Sequence, residues 1–93
     1  MTGPEGIVEI PVELEQYKSL YANFHVVDPV NYLEELQSIG DRLAASDEAF
    51  RLKLEEALNP ETQVAGDEQK KKAWSYISAL SGYGMSLGMT GLD

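Results

Sequence analysis

The chain has 93 residues, 43% of them hydrophobic, with a single histidine, no cysteine and a net charge of −9. That length supports one small domain with a thin core, and the apolar content is too high for wholesale disorder. Without cysteine there is no disulfide framework, thiolate metal site or thiol nucleophile.

The charge is uneven. Residues 1–69 hold fifteen of the sixteen acids against four of the seven cations, whereas residues 70–93 hold Lys70, Lys71 and Lys72 against Asp93. The chain therefore divides, within one domain, into an acidic body (1–69, with an N-terminal arm at 1–10) and a basic collar followed by a last helix and a tail (70–93). So acidic a body does not suit direct binding of nucleic-acid phosphates, which takes dense Lys and Arg. It suits protein partners, including ones with a basic surface, and net negative charge also serves plain solubility.

Taken in chain order, residues 1–10 start with Gly/Pro punctuation and reach Ile7-Val8-Glu9-Ile10, an extended arm or short edge strand. The N-terminus has neither the basic start nor the long apolar run of a secretory signal, so a cytoplasmic or virion-associated location is expected. Pro11 suits a first helical turn, where its missing N–H costs nothing. Leu14, Tyr17, Tyr21 and Phe24 share one helical face, predicting a first helix over about 11–24.

Asp28-Pro29 restarts a helix, with Asp as N-cap and Pro at the first helical position. Tyr32, Leu33, Leu36, Ile39 and Leu43 form its stripe, and Gly40 either weakens it or admits a close neighbour. Ser46-Asp47-Glu48 offers capping chemistry for a break. Leu36, Leu43, Phe50 and Ala57, however, fall seven apart and keep the stripe in phase. One helix over 29–58 and a helical hairpin are both consistent with these residues, and Asn59-Pro60 ends the segment either way. Asp67 is placed to cap a last helix through the lysine collar, with Trp74, Ile77 and Leu80 on its apolar side and Gly82 as a stop. The fold expected is all-α: a small three- to four-helix bundle or helical hairpin, with an extended N-terminal arm and a Gly/Met-rich C-terminal arm.

From Ala73 to Leu92 there are twenty consecutive uncharged residues behind three lysines. Length and flank resemble a membrane span, and Gly84 with Gly88 has the spacing of close-packed membrane helices. Ser, Thr and Gly fill too much of the segment to drive insertion, so membrane association is a minor alternative. In an extended conformation Tyr83, Met85, Leu87 and Met89 would share one face, able to dock on a partner's sheet edge or apolar groove. The plain alternative is a tail that folds back onto its own bundle.

Catalytic chemistry is not expected. His25 stands alone between Phe24 and Val26, with no second His or Cys for a zinc site. The acid pairs Glu13/Glu15, Glu34/Glu35, Glu55/Glu56 and Asp67/Glu68 diverge around a helix and give no carboxylate-bridged metal pattern. Neither a phosphate-binding glycine loop nor a nucleophile elbow is present. These residues therefore point to no cofactor and no metal. They point to a non-catalytic interaction protein, an accessory or assembly subunit of a larger complex such as a bacterial machine or a phage particle, with a homo-oligomer as a further option. Its candidate contacts are Ile7, Val8, Ile10, Trp74, Ile77, Leu80, Tyr83, Met85, Leu87 and Met89. A second reading is an acidic inhibitor whose carboxylates, including Glu34, Glu35, Glu55 and Glu56, imitate a phosphate track on a nucleic-acid-handling protein.

Overall fold

A computed structural model describes residues 10–61, 66–89 and 92. Among them the fold is all-α, with no strand: α1 (Val12–Tyr21), a 3-10 turn (Pro29–Tyr32), α2 (Leu33–Ser46), α3 (Glu48–Ala57) and α4 (Glu68–Ser86). The expected arm or strand at Ile7 and Val8 lies outside the described residues.

Pro11 precedes α1 with φ −57° and ψ 145°, and its carbonyl accepts the Leu14 amide at 3.0 Å. The helix ends at Tyr21, short of the expected 24, and the chain continues through tight i+3 turns. Phe24 still keeps its place in the stripe. Its ring lies 5.3 Å from that of Tyr21 and 6.1 Å from that of Tyr32, which ties the 3-10 turn to α1. Asp28 caps that turn through its side chain, which accepts the Val30 amide at 3.0 Å, with Pro29 behind it.

The competition between capping and phase over 29–58 resolves as a hairpin. Asp47 adopts φ −134° and ψ 108°, and one of its carboxylate oxygens accepts the Phe50 amide at 3.2 Å. The break does not cost the stripe its register, because Leu36, Leu43 and Phe50 are all buried. Phase persists because the extended residue reorients the axis while α3 still presents its apolar side to the same core.

Asp67 caps α4, accepting the Lys70 amide at 2.7 Å. The expected stop at Gly82 does not occur: α4 runs on to Ser86. Glycine weakens a helix by about 1 kcal/mol relative to alanine, and packing overrides so small a preference. Here Gly84 sits against Leu92 and Leu14, where an added Cβ would come 2.6 Å from the Leu92 side chain. The tail accordingly departs from the extended face set out above. Tyr83 and Met85 lie on α4, one buried and one exposed, as the helical 100° step requires. Beyond α4, Leu87 and Met89 pack against the core and Leu92 is 2% exposed. At the described positions the C-terminal segment thus covers its own bundle.

The core gathers Leu14 and Tyr17 from α1, Leu36, Ile39 and Leu43 from α2, Phe50 and Leu54 from α3, and Ala73, Tyr76, Ile77, Leu80 and Tyr83 from α4. α1 runs antiparallel to α4, with Leu14 near Gly84 and Tyr17 near Ile77 and Ser81. Gly40 admits the ring of Tyr76, to which a Cβ would come within 2.5 Å. The close neighbour expected at this glycine is thus an aromatic side chain.

Candidate functional site

An open, mainly apolar concavity lies between the C-terminal end of α1 and the outer side of α4. Tyr21, Ala22, Phe24 and His25 form one wall, and Trp74, Ile77, Ser78 and Ser81 form the other. Leu92 also lines this groove, whose volume is about 750 Å³. That size is typical of sites that take a ligand or a few anchoring side chains.

The sequence puts these residues here for traceable reasons. α1 ends at Tyr21 and the chain passes into tight turns, so Phe24 and His25, and not a further turn of helix, face the first half of α4. Residues 70, 74, 78, 81 and 85 of α4 share one side at helical spacing, and the helix leaves that side uncovered. Trp74 stands in its N-terminal half, 37% exposed, while Met85 near the C-terminal end is 44% exposed. The base is polar but satisfied. The Tyr17 hydroxyl is 2.5 Å from that of Ser81 and 3.4 Å from the Ile77 carbonyl oxygen. Burial pushes the Tyr17 phenol well above its ordinary pKa, the Ser81 hydrogen bond acting in the opposite sense. It stays a neutral hydrogen-bonding group.

The opposite side of α4 is closed by two phenol–carboxylate contacts. Tyr76 donates to Asp41 on α2 at 2.8 Å, and Tyr83 donates to Asp47, the residue that caps α3. Burial, then the carboxylate of Asp41, pushes the Tyr76 phenol up. Tyr83 is raised to about 12, chiefly by its hydrogen bond to Asp47. These groups fasten helices together. Among the described residues no buried side-chain nitrogen or oxygen lacks a partner, and no cluster of acids and histidine could hold a metal ion.

The contact residues expected from sequence therefore separate. Ile77, Leu80 and Tyr83 belong to the core, although an edge of Ile77 also reaches the groove. Trp74 and Met85 are exposed. Ile10 and Met89 line a small cleft with Glu15, Lys18 and Ser19 at the far end of α1, and Leu87 packs partly against the core. Ile7 and Val8 lie outside the described residues. Sequence reasoning missed Tyr21, Phe24, His25 and Leu92 as groove residues. For the first two the aromatic stripe was visible, but it read as core. Leu92, isolated between Gly91 and Asp93, carries no periodic signal.

The acids are partly committed to structure. Arg51 bridges Glu48 at 3.4 Å and Glu55 at 3.1 Å, which interrupts any continuous anionic track along α3, while Glu34, Glu35 and Glu56 are exposed. No helix among the described residues is long and apolar enough to cross a membrane.

Comparison with known proteins brings no relative: no family model, characterised protein or solved structure matches this chain.

Proposed function

We propose that this chain is a non-catalytic interaction protein, an accessory or assembly subunit that docks on another protein through the groove between α1 and α4. One observation carries the reading. Trp74, a residue type enriched at interaction hot spots, stands 37% exposed in an apolar groove instead of completing the core of its own helix. A small domain with little core to spare gains stability by burying its largest side chain, so its exposure has another use. The reading moves the expected contact from the terminal arms to the first half of α4.

The test is a pull-down with immobilised full-length protein from the cells in which the sequence occurs, set against Trp74→Glu. Trp74→Glu is expected to keep the wild-type helical circular dichroism and to lose the partners that the wild type retains. Retention of every partner by a folded Trp74→Glu protein refutes the groove as the docking site.

A further inference from the structure

Resting on that docking reading, we infer the chemistry of the partner: the groove takes an amphipathic helix whose apolar anchors are followed by carboxylates that meet Lys70 and Lys71. The charge distribution is the first argument. In a chain of net charge −9, the lysine collar is the densest run of cations. Two of its three members lie on the same side of α4 as Trp74, at i−4 and i−3, so they stand about one turn beyond the groove's lining at its Trp74 end, with the carboxylates of Asp67 and Glu68 next to them in the first turn. Neither is consumed by the fold. Lys70 makes no ion pair among the described residues, and Lys71 reaches only the exposed Glu68, at 3.9 Å. The rest of the described surface is rich in acids that would repel an acidic segment docking elsewhere, so the collar selects where it binds as well as holding it.

Shape is the second argument. The α4 wall from Trp74 to Ser81 spans about two helical turns, roughly 11 Å. That suits two or three apolar side chains at i, i+3 or i+4, and i+7 of a docked helix. A concave groove with cations just beyond one end fits a helix better than a lipid surface, which favours a convex amphipathic face and is repelled by a body this acidic.

Trp74 is the only tryptophan, so its fluorescence reports occupancy of the groove directly. The probes are two synthetic peptides without tryptophan that share one Leu/Phe stripe, one ending in glutamates and the other in lysines. Each is titrated into the full-length protein. The glutamate peptide is expected to blue-shift and saturate the Trp74 emission, and to bind about five- to ten-fold tighter than the lysine peptide in low salt. The preference should shrink as salt rises.

Lys70→Glu should abolish or reverse that preference. Lys72→Glu makes the same change of net charge two residues on, about 200° around the helix, and should leave most of it in place. Four results overturn the inference: equal binding of both peptides, equal effects of Lys70→Glu and Lys72→Glu, no binding of either peptide, or a Trp74 blue shift with phosphatidylserine vesicles but with neither peptide. The first two would leave the groove standing as a docking site. Failure of the docking reading itself appears separately, as retention of partners by Trp74→Glu.

Discussion

The two sides of α4 carry nearly the same kinds of residue to opposite ends. On the closed side, Tyr76 and Tyr83 bury their rings and spend their hydroxyls on Asp41 and Asp47, carboxylates of the neighbouring α2–α3 hairpin. On the open side, Trp74, Ser78 and Ser81 look onto a groove that α1 reaches only in part. Aromatic-plus-hydroxyl composition therefore does not distinguish a core face from a binding face. What separates them is whether another element of the chain arrives with an acceptor and a complementary surface.

That contrast can be tested most severely by cutting equally into both sides. Leu80 is completely buried and Ser78 is exposed. Leu80→Ala should cost about 3–4 kcal/mol in urea denaturation, by lost transfer energy plus a residual cavity, while Ser78→Ala should stay within about 0.5 kcal/mol of wild type. Similar losses for the two would mean that the open side is also structural.

Alkali probes the buried phenols on both sides next. The phenols of Tyr17, Tyr76 and Tyr83 all have folded-state pKa values raised above the ordinary 10, by burial for the first two and by the Asp47 hydrogen bond for Tyr83. A raised value means that the folded state holds protons which the unfolded chain gives up, so the stabilisation is complete below about pH 10 and declines as pH rises beyond it. Stability should fall by on the order of 2 kcal/mol per pH unit between about pH 10 and 12. Tyr83→Phe should make that fall shallower. A flat profile over this window would refute the pairing of phenol and carboxylate.

Gly40 offers a smaller and sharper test. Alanine there gains about 1 kcal/mol of helix propensity, but its Cβ would lie 2.5 Å from a Tyr76 ring held in place by Asp41. Overpacking of this kind costs about 1–3 kcal/mol, so Gly40→Ala should show a net loss of about 1 kcal/mol in the wild-type background, and no such loss when it is added to Tyr76→Leu. Simple stabilisation by Gly40→Ala would show that the approach of ring and backbone is not needed.

The same contrast explains what could be read from the sequence. Asp28, Asp47 and Asp67 each announced a helix start, because capping is a local transaction between a side chain and an amide two or three residues on. The apolar stripes of α2 and α4 were legible for the same reason. Gly82 misled because helix termination by glycine is a weak local preference, and the contacts of Gly84 with Leu92 and Leu14 outweigh it across sequence distances that no local pattern contains. The groove was invisible except for Trp74 and the edge of Ile77. Its two walls lie about fifty residues apart, and whether Phe24 faces core or solvent depends on where α1 ends.

Ile10 and Met89 line one cleft, so the stretches of chain before α1 and after α4 meet at a single pole. Lys70 sits near the other end of α4, about 24 Å along the helix from Ser86. Leu92 lies back in the groove, so a fusion beyond it would sit beside the docking surface proposed above, whereas one ahead of Ile10 would leave that surface clear.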